Sequence, residues 1–248
     1  MNSLVTINAD DFGYTVDISK TIIDFINNGY CDTTTVMINS SSRMDSYQLA
    51  NQVGLVDRVG LHLNITAGNP LTSDISKCAS FCTNGKFGVY KAHRSKRFVL
   101  TSIEKKALEA EIRAQIEEYL KVGYKGMMLD SHQGIHMDWS IYPIVMGLCK
   151  EYGFVKVRRS PNISTDALRR SLHIPFDVAL KRSGLQKTKY MGGIKDFLMS
   201  DVSYLEGGME IMCHPQNKQG TLYIDETLGF TLEDYLAALS KREGKDKE

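Results

Sequence analysis

The sequence has 248 residues, 42% of them apolar and 24% charged, and its 30 Lys plus Arg against 29 Asp plus Glu leave a formal charge of +1. That length is ample for a closed apolar core without disulfides or a structural metal, and the charge balance provides neither a basic footprint for nucleic acid nor a polybasic face for a membrane. No window approaches the ~18 apolar residues of a membrane span, the five cysteines include no CxxC pair, and no charged leader with a long apolar run is visible, so reduced thiols in a cytoplasmic protein are expected.

Residues 4–8 read as a short apolar strand running into Asp10-Asp11. Residues 15–28 carry Ile18, Ile22, Ile23 and Ile26 at helical spacing, with Gly29 as the stop. Residues 33–39 are β-branched, and 59–65 alternate as a strand that sets His62 and Asn64 opposite Leu61 and Leu63. Residues 67–97 show no period and read as a long loop, a length usually kept for function. The clearest helix spans 103–122, with a capping box of Thr101 and Glu104, an inner face of Leu108, Ile112, Ile116, Tyr119 and Leu120, and Gly123 at its end.

Residues 126–130 form the next strand, ending at Asp130-Ser131-His132; a helix over 142–152 and a strand over 155–158 follow. The stretch 160–193 yields one helix near 176–182. A last apolar strand, 209–213, precedes His214-Pro215, a final helix covers 232–240, and 241–248 read as a solvated charged tail. No repeat or linker divides the chain, so residues 1–248 are expected to form one domain. Strand–helix alternation predicts an α/β fold on a parallel sheet. The lack of a Gly-rich phosphate turn after the first strand favours a (β/α) barrel over an open doubly wound sheet.

Asp10, Asp11, His132 and His214 each follow a predicted strand, and His62 lies within one. Groups at the carboxyl ends of parallel strands converge on one face, where α/β enzymes build their sites. Taken alone, Asp10-Asp11 is most simply a turn with an Asx cap for the next helix; in a site, one carboxylate could bind a metal and the other act as base. Asp11, His62 and His132 make an Asp-His-His set available to a divalent ion with positions left open. His136, four residues beyond His132, is expected to be a substrate contact or an outer-shell group, and Asp130 a partner for a ring N–H. His214, before a proline, is placed to exchange a proton near neutral pH. One of Arg158 and Arg159 is expected to hold a site carboxylate or a substrate oxygen, and the other to be surface charge. His93 lies in a basic run that reads as a solvated loop, His173 has no assigned role, and Cys213 reads as a small buried apolar residue.

The blocks Ile7-Asn8-Ala9-Asp10-Asp11-Phe12-Gly13, Val59-Gly60-Leu61-His62-Leu63-Asn64 with Gly68-Asn69-Pro70-Leu71, Asp130-Ser131-His132 and Met212-Cys213-His214-Pro215 resemble the YdjC/ChbG family of carbohydrate deacetylases. The resemblance implies a distorted (β/α) barrel of the polysaccharide-deacetylase type, often a homodimer. It also implies hydrolysis of the N-acetyl group of acetylated amino sugars such as chitooligosaccharides. Position by position, it implies Asp11, His62 and His132 as metal ligands, Asp10 as general base and His214 as general acid. Gly134 stands where family members often carry a histidine. The family metal is commonly Mg²⁺, whereas the ligand chemistry suits Zn²⁺ or another transition metal. Two alternatives stand beside this: a phosphoesterase on the same barrel, and a non-catalytic sugar-binding protein.

Overall fold

The computed structural model describes residues 5–163, 171–199 and 207–245. Its centre is a seven-stranded sheet of β1 (Val5–Phe12), β2 (Thr33–Val36), β3 (Val59–Leu63), β6 (Met128–Ser131), β7 (Lys156–Val157), β8 (Tyr190–Gly193) and β9 (Met209–Cys213), every pairing parallel. The spatial order is β7-β6-β3-β2-β1-β9-β8. The sheet curls until its edges meet through irregular bonds: Gln186 N donates to the Val155 carbonyl at 2.8 Å and Asn162 N to the Met191 carbonyl at 2.9 Å. The strand–helix alternation predicts the parallel sheet, and its curling gives the distorted barrel that the family resemblance implies.

Helices α1 (Val16–Asn27), α2 (Arg43–Gln52), α4 (Ser102–Val122) and α5 (Tyr142–Glu151) accompany these strands, with a short α3 (Ser73–Ser76) between them. Because side chains alternate across a strand, Ile7, Ala9, Leu61, Leu63, Leu129 and Ile211 join one continuous apolar core with Ile22, Leu108, Ile112, Ile116 and Val145 of the helices. The alternate positions Asn8, Asp10, His62, Asp130 and Glu210 are buried and polar, and they belong to the barrel interior. In α4 the capping box forms as expected, and Gly123 ends the helix at φ 111°. Leu120, expected to be buried, is 38% exposed. Tyr119 takes the inward place, its hydroxyl donating to the Gly126 carbonyl at 2.6 Å.

Residues 67–97 are not the open loop that their composition suggests. They hold α3 and a hairpin of β4 (Cys82–Thr83) and β5 (Lys86–Phe87). Glu111 of α4 accepts from Leu71 N at 3.0 Å and Thr72 N at 2.8 Å; Phe81 stacks on Tyr90, whose hydroxyl donates to Asp138 at 3.0 Å. The basic run is likewise tied down at two points, with Lys96 on Glu104 and Arg97 on Asp138. His93 remains exposed. Glu111 and Asp138 lie far along the chain from the residues they hold, out of reach of local pattern.

Helix α6 (Ile174–Ser183) encloses the helix expected at 176–182, and α7 (Ile194–Met199) follows β8. Part of the stretch 160–193, residues 164–170, lies outside the described residues. After β9 comes an antiparallel sheet of β10 (Gln216–Lys218), β11 (Thr221–Asp225) and β12 (Phe230–Thr231), for which no sequence signal was read. Helix α8 (Leu232–Lys245) runs past residue 240, so the first part of the expected tail is helical; residues 246–248 lie outside the described residues. Among the described residues no helix is long and apolar enough to cross a membrane.

Candidate active site

Two neighbouring carboxylates on a regular strand would point to opposite faces. Here β1 does not stop before them; it continues to Phe12 with an irregularity. Ala9 pairs with Thr34 and Phe12 with Val36, so β1 carries one residue more than β2 over this span. That is a bulge, a device that re-aims a side chain beside active sites. Asp11 absorbs it at φ 69°, in the left-handed region that Asp tolerates better than most residues. The Asx-cap reading fails, because Thr15 caps α1 and accepts from Ile18 N.

Asp11 Oδ1 lies 3.2 Å from His62 Nε2 and 2.9 Å from His132 Nδ1. One donor atom from each of the three lies within 4.8 Å of the others. Two imidazole nitrogens and a carboxylate oxygen at that spacing could hold a single metal ion. Asp130 Oδ1 sits 2.7 Å from His62 Nδ1, which leaves Nε2 facing Asp11. Thr35 donates to the other Asp130 oxygen at 3.0 Å, and the Tyr14 ring stacks on His132 at 6.3 Å.

The electrostatics calls for a cation at this point. Burial opposes ionisation of Asp11, yet its bonds to His132 and His62 and their charges hold it well below the usual carboxylate range. Burial likewise opposes charge on His62, but Asp130, Asp11 and Asp10 raise it to about 10. A proton answers that demand in the free protein, and a metal ion would answer it equally. Asp10, His62 and Asp130 form a second close group of donors. Its cation is already in place, since Arg158 Nη1 lies 2.7 Å from both Asp10 Oδ2 and Asp130 Oδ2.

Asp10 stands beside the cluster. Asn8 donates to its Oδ1 at 2.8 Å, and Arg158 grips both of its oxygens. Burial works to raise its pKa, and the Arg158 charge and hydrogen bonds overcome that, lowering it to about 2. Glu210 accepts from Arg158 Nε at 2.6 Å and also pairs with Lys156 at 2.8 Å. On the other side, His214 Nε2 lies 4.0 Å from Asp10 Oδ2, while its Nδ1 lies 3.3 Å from Asp225 Oδ2. Burial disfavours charge on His214, but Asp225, Asp10 and Asp11 outweigh it and raise its pKa above the ordinary value. Asp11, His132 and His214 side chains keep 18–21% exposure and form the open face; Asp10 and His62, at 4% and 1%, lie beneath.

His136 departs from one of its two expected roles. It is 1% exposed, with its ring edge against Phe176, so it is not a substrate contact. Its Nε2 donates to the Arg158 carbonyl at 3.0 Å and its Nδ1 lies 2.5 Å from Ser131 Oγ, which ties the ends of β6 and β7 together. Burial lowers its pKa to about 4, so the ring is neutral. Of the two arginines, Arg158 holds the site carboxylate. Arg159 is not free surface charge: it bonds to Asp177 and the Lys189 carbonyl. Sequence reading missed Asp225, Glu210, Thr35 and Asn8. Glu210 alone carried a signal, as one charge within the apolar run Met209–Cys213.

A family model described as YdjC-like protein matches residues 4–239. A carbohydrate deacetylase of Halalkalibacterium halodurans is 28% identical over 226 residues, which cover 90% of this chain and 86% of the relative. A chitooligosaccharide deacetylase of Yersinia pestis is 29% identical over 234 residues, 92% of this chain and 85% of the relative. A crystal structure of an Enterococcus faecalis V583 protein, provisionally assigned to cellobiose-phosphate cleavage, has the same fold, with a TM-score of 0.69 at 20% identity over 98% of this chain and 92% of that one.

Proposed function

The chain belongs to the YdjC-like protein family, and from that footing we propose that it is a carbohydrate deacetylase. It hydrolyses the N-acetyl group of an acetylated amino sugar or oligosaccharide to acetate and a free amine. The observation that carries this reading is the division of labour around one point. Asp11 joins His62 and His132, while Asp10 is held apart by Arg158 with His214 4.0 Å away.

Asp11, His62 and His132 would hold a divalent ion, which when bound supplies a Lewis acid for the acetyl carbonyl and lowers the pKa of water. Two nitrogen donors favour Zn²⁺ or another transition metal over Mg²⁺, which prefers oxygen ligands. Asp10, kept ionised by Arg158, accepts the proton of the attacking water. Asn8 and Arg158 fix its carboxylate so that no rotamer search precedes the transfer. Water oxygen bonds to the acetyl carbon, the C–N bond breaks, and the nitrogen leaves with a proton from His214 Nε2. Asp225 at Nδ1 keeps that ring oriented and charged beforehand. A base and an acid 4.0 Å apart beside a cation-demanding cluster suit amide hydrolysis.

The phosphoesterase alternative would want a second metal held by further carboxylates. The further carboxylates nearby, Asp10 and Asp130, are already paired with Arg158. The decisive experiment measures acetate release from acetylated mono- and oligosaccharides by metal-stripped protein reloaded with Zn²⁺, Co²⁺ or Mg²⁺. Release with at least one metal supports the reading. No release with any of them, or hydrolysis of phosphate esters instead, would overturn it.

A further inference from the structure

Glu210 is a carboxylate in the barrel interior that the hydrolysis leaves without a task. It is 0% exposed, on a strand whose other residues are Met209, Ile211, Met212 and Cys213. An ionised side chain at such a depth is costly unless it is paired. Its Oε1 accepts from Arg158 Nε at 2.6 Å. Its Oε2 lies 2.8 Å from Lys156 Nζ yet outside hydrogen-bond geometry, so Lys156 balances the charge and Arg158 alone sets the direction. Burial opposes ionisation of Glu210, and the charges of Arg158 and Lys156 outweigh burial and lower its pKa.

The guanidinium of Arg158 is contested. Its Nη1 lies 2.7 Å from Asp10 Oδ2 and equally 2.7 Å from Asp130 Oδ2, while Nη2 donates to Asp10 Oδ1 at 2.8 Å. Two carboxylates therefore compete for one planar group. A small swing of that plane would trade the two-point grip on Asp10 for one on Asp130. The Nε–H is the third corner of the plane, and its bond to Glu210 leaves both Nη groups turned towards Asp10. This anchor comes from another part of the barrel. Glu210 pairs in the sheet with Thr6 of β1 and Met191 of β8, whereas Arg158 follows β7. Strands β7 and β9 are not neighbours, so no shared ladder sets the angle between them.

We propose that Glu210 is a positioning residue for the hydrolysis, acting through Arg158 to hold the Asp10 carboxylate in the orientation that takes up the water proton. This rests on the deacetylase reading and adds a residue to it. The polar contacts of Glu210 are Arg158 and Lys156, so it reaches the reaction through Arg158. A competing role is a clamp that merely closes the barrel, with Lys156 and Arg158 as equal partners. The unequal geometry favours positioning, because the aimed bond is made to Arg158 only.

One spectroscopic and one kinetic measurement separate these roles. Protein labelled with ¹⁵N-arginine shows the Arg158 Nε–H resonance, assigned by its loss in Arg158→Lys. A charged acceptor 2.6 Å away draws that proton downfield. Glu210→Gln should move it upfield and free the Nη groups to rotate. In steady-state kinetics on the acetylated sugar, Glu210→Gln should lower kcat about tenfold, the gap between a charged and a neutral acceptor. KM and metal content should stay at their wild-type values. Added to Arg158→Lys, Glu210→Gln should cost nothing more, because lysine has no Nε–H to aim; a clamp would multiply the two losses. If the unpaired Lys156 unfolds Glu210→Gln, the double variant with Lys156→Met restores the charge balance and carries the same expectations. An Nε–H signal that stays in place, a kcat at the wild-type level, or multiplied losses with Arg158→Lys would overturn the proposal. If no sugar releases acetate, the deacetylase reading fails by itself, while the resonance still reports whether Glu210 aims Arg158.

Discussion

Arg158 and Asp10 meet in a two-point contact across the barrel, Nη1 to Oδ2 at 2.7 Å and Nη2 to Oδ1 at 2.8 Å, although 148 residues separate them. Only a planar guanidinium fits both oxygens at once. Lysine keeps the charge and loses the geometry, so Arg158→Lys should leave Asp10 ionised but free to turn. A kcat reduced by about 10²-fold is expected, the scale of a misplaced catalytic group, with a smaller effect on KM. Steady-state kinetics on an acetylated oligosaccharide checks this, and a KM effect larger than the kcat effect would contradict it.

The adjacent aspartates should separate cleanly. Asp10→Asn leaves Asp11, His62 and His132 intact, so metal content should stay at the wild-type level while kcat falls by about 10²–10⁴-fold, as for loss of a general base. Asp11→Asn removes the negative charge that lies between the two histidines. Metal should then be lost along with activity. Elemental analysis after gel filtration reads both variants, and the opposite pattern would mean that their roles are exchanged.

The sign of one pH effect follows from Asp225. His214 must carry a proton to act as acid, and its raised pKa keeps that proton to higher pH than an isolated histidine would. Activity should therefore fall as pH rises through that value. Asp225→Asn removes the partner at Nδ1, 3.3 Å away, while an amide oxygen can still accept from Leu228 N. The basic limb of kcat/KM should move to lower pH. A limb that stays in place would take His214 out of the acid role.

How far this site could be read in advance depended on where each contact lay along the chain. Asp11, His62, His132 and His214 were legible because parallel strands deliver their carboxyl ends to one face, so position along each strand implied convergence. The Arg158–Asp10 pair was half legible: an arginine at a strand end could be assigned to a carboxylate, but not to which one. The bulge at Asp11 left no mark, because its cause is the register against β2. Asp225 was invisible for a similar reason: it reaches His214 through a small antiparallel sheet whose strands, three and five residues long, are too short to show a period. The ordered segment 67–97 was missed because its partners Glu111 and Asp138 are tertiary.

Two glycines allow the same substitution to test the barrel in opposite directions. Gly60 sits in β3, two residues before His62, and a Cβ there would lie 2.6 Å from the Met128 carbonyl oxygen and 3.0 Å from Thr35 Cγ2. The nearer atom is backbone of β6, which can yield only by disturbing the ladder that sets His62 opposite Asp130. Gly60→Ala should therefore cost about 1–3 kcal/mol, as overpacking does, and lower activity by loosening the His62–Asp130 bond. Gly147 is exposed within α5 and has nothing within 4 Å of the same position. Gly147→Ala should stabilise the fold by roughly 0.5–1 kcal/mol through helix propensity and leave activity alone. In a chain of this size each kcal/mol moves the melting temperature by about 2–4 °C, so calorimetry on the two variants resolves both signs. If Gly60→Ala melted with the wild type, the close approach of β3 to β6 would not be what sets His62 against Asp130.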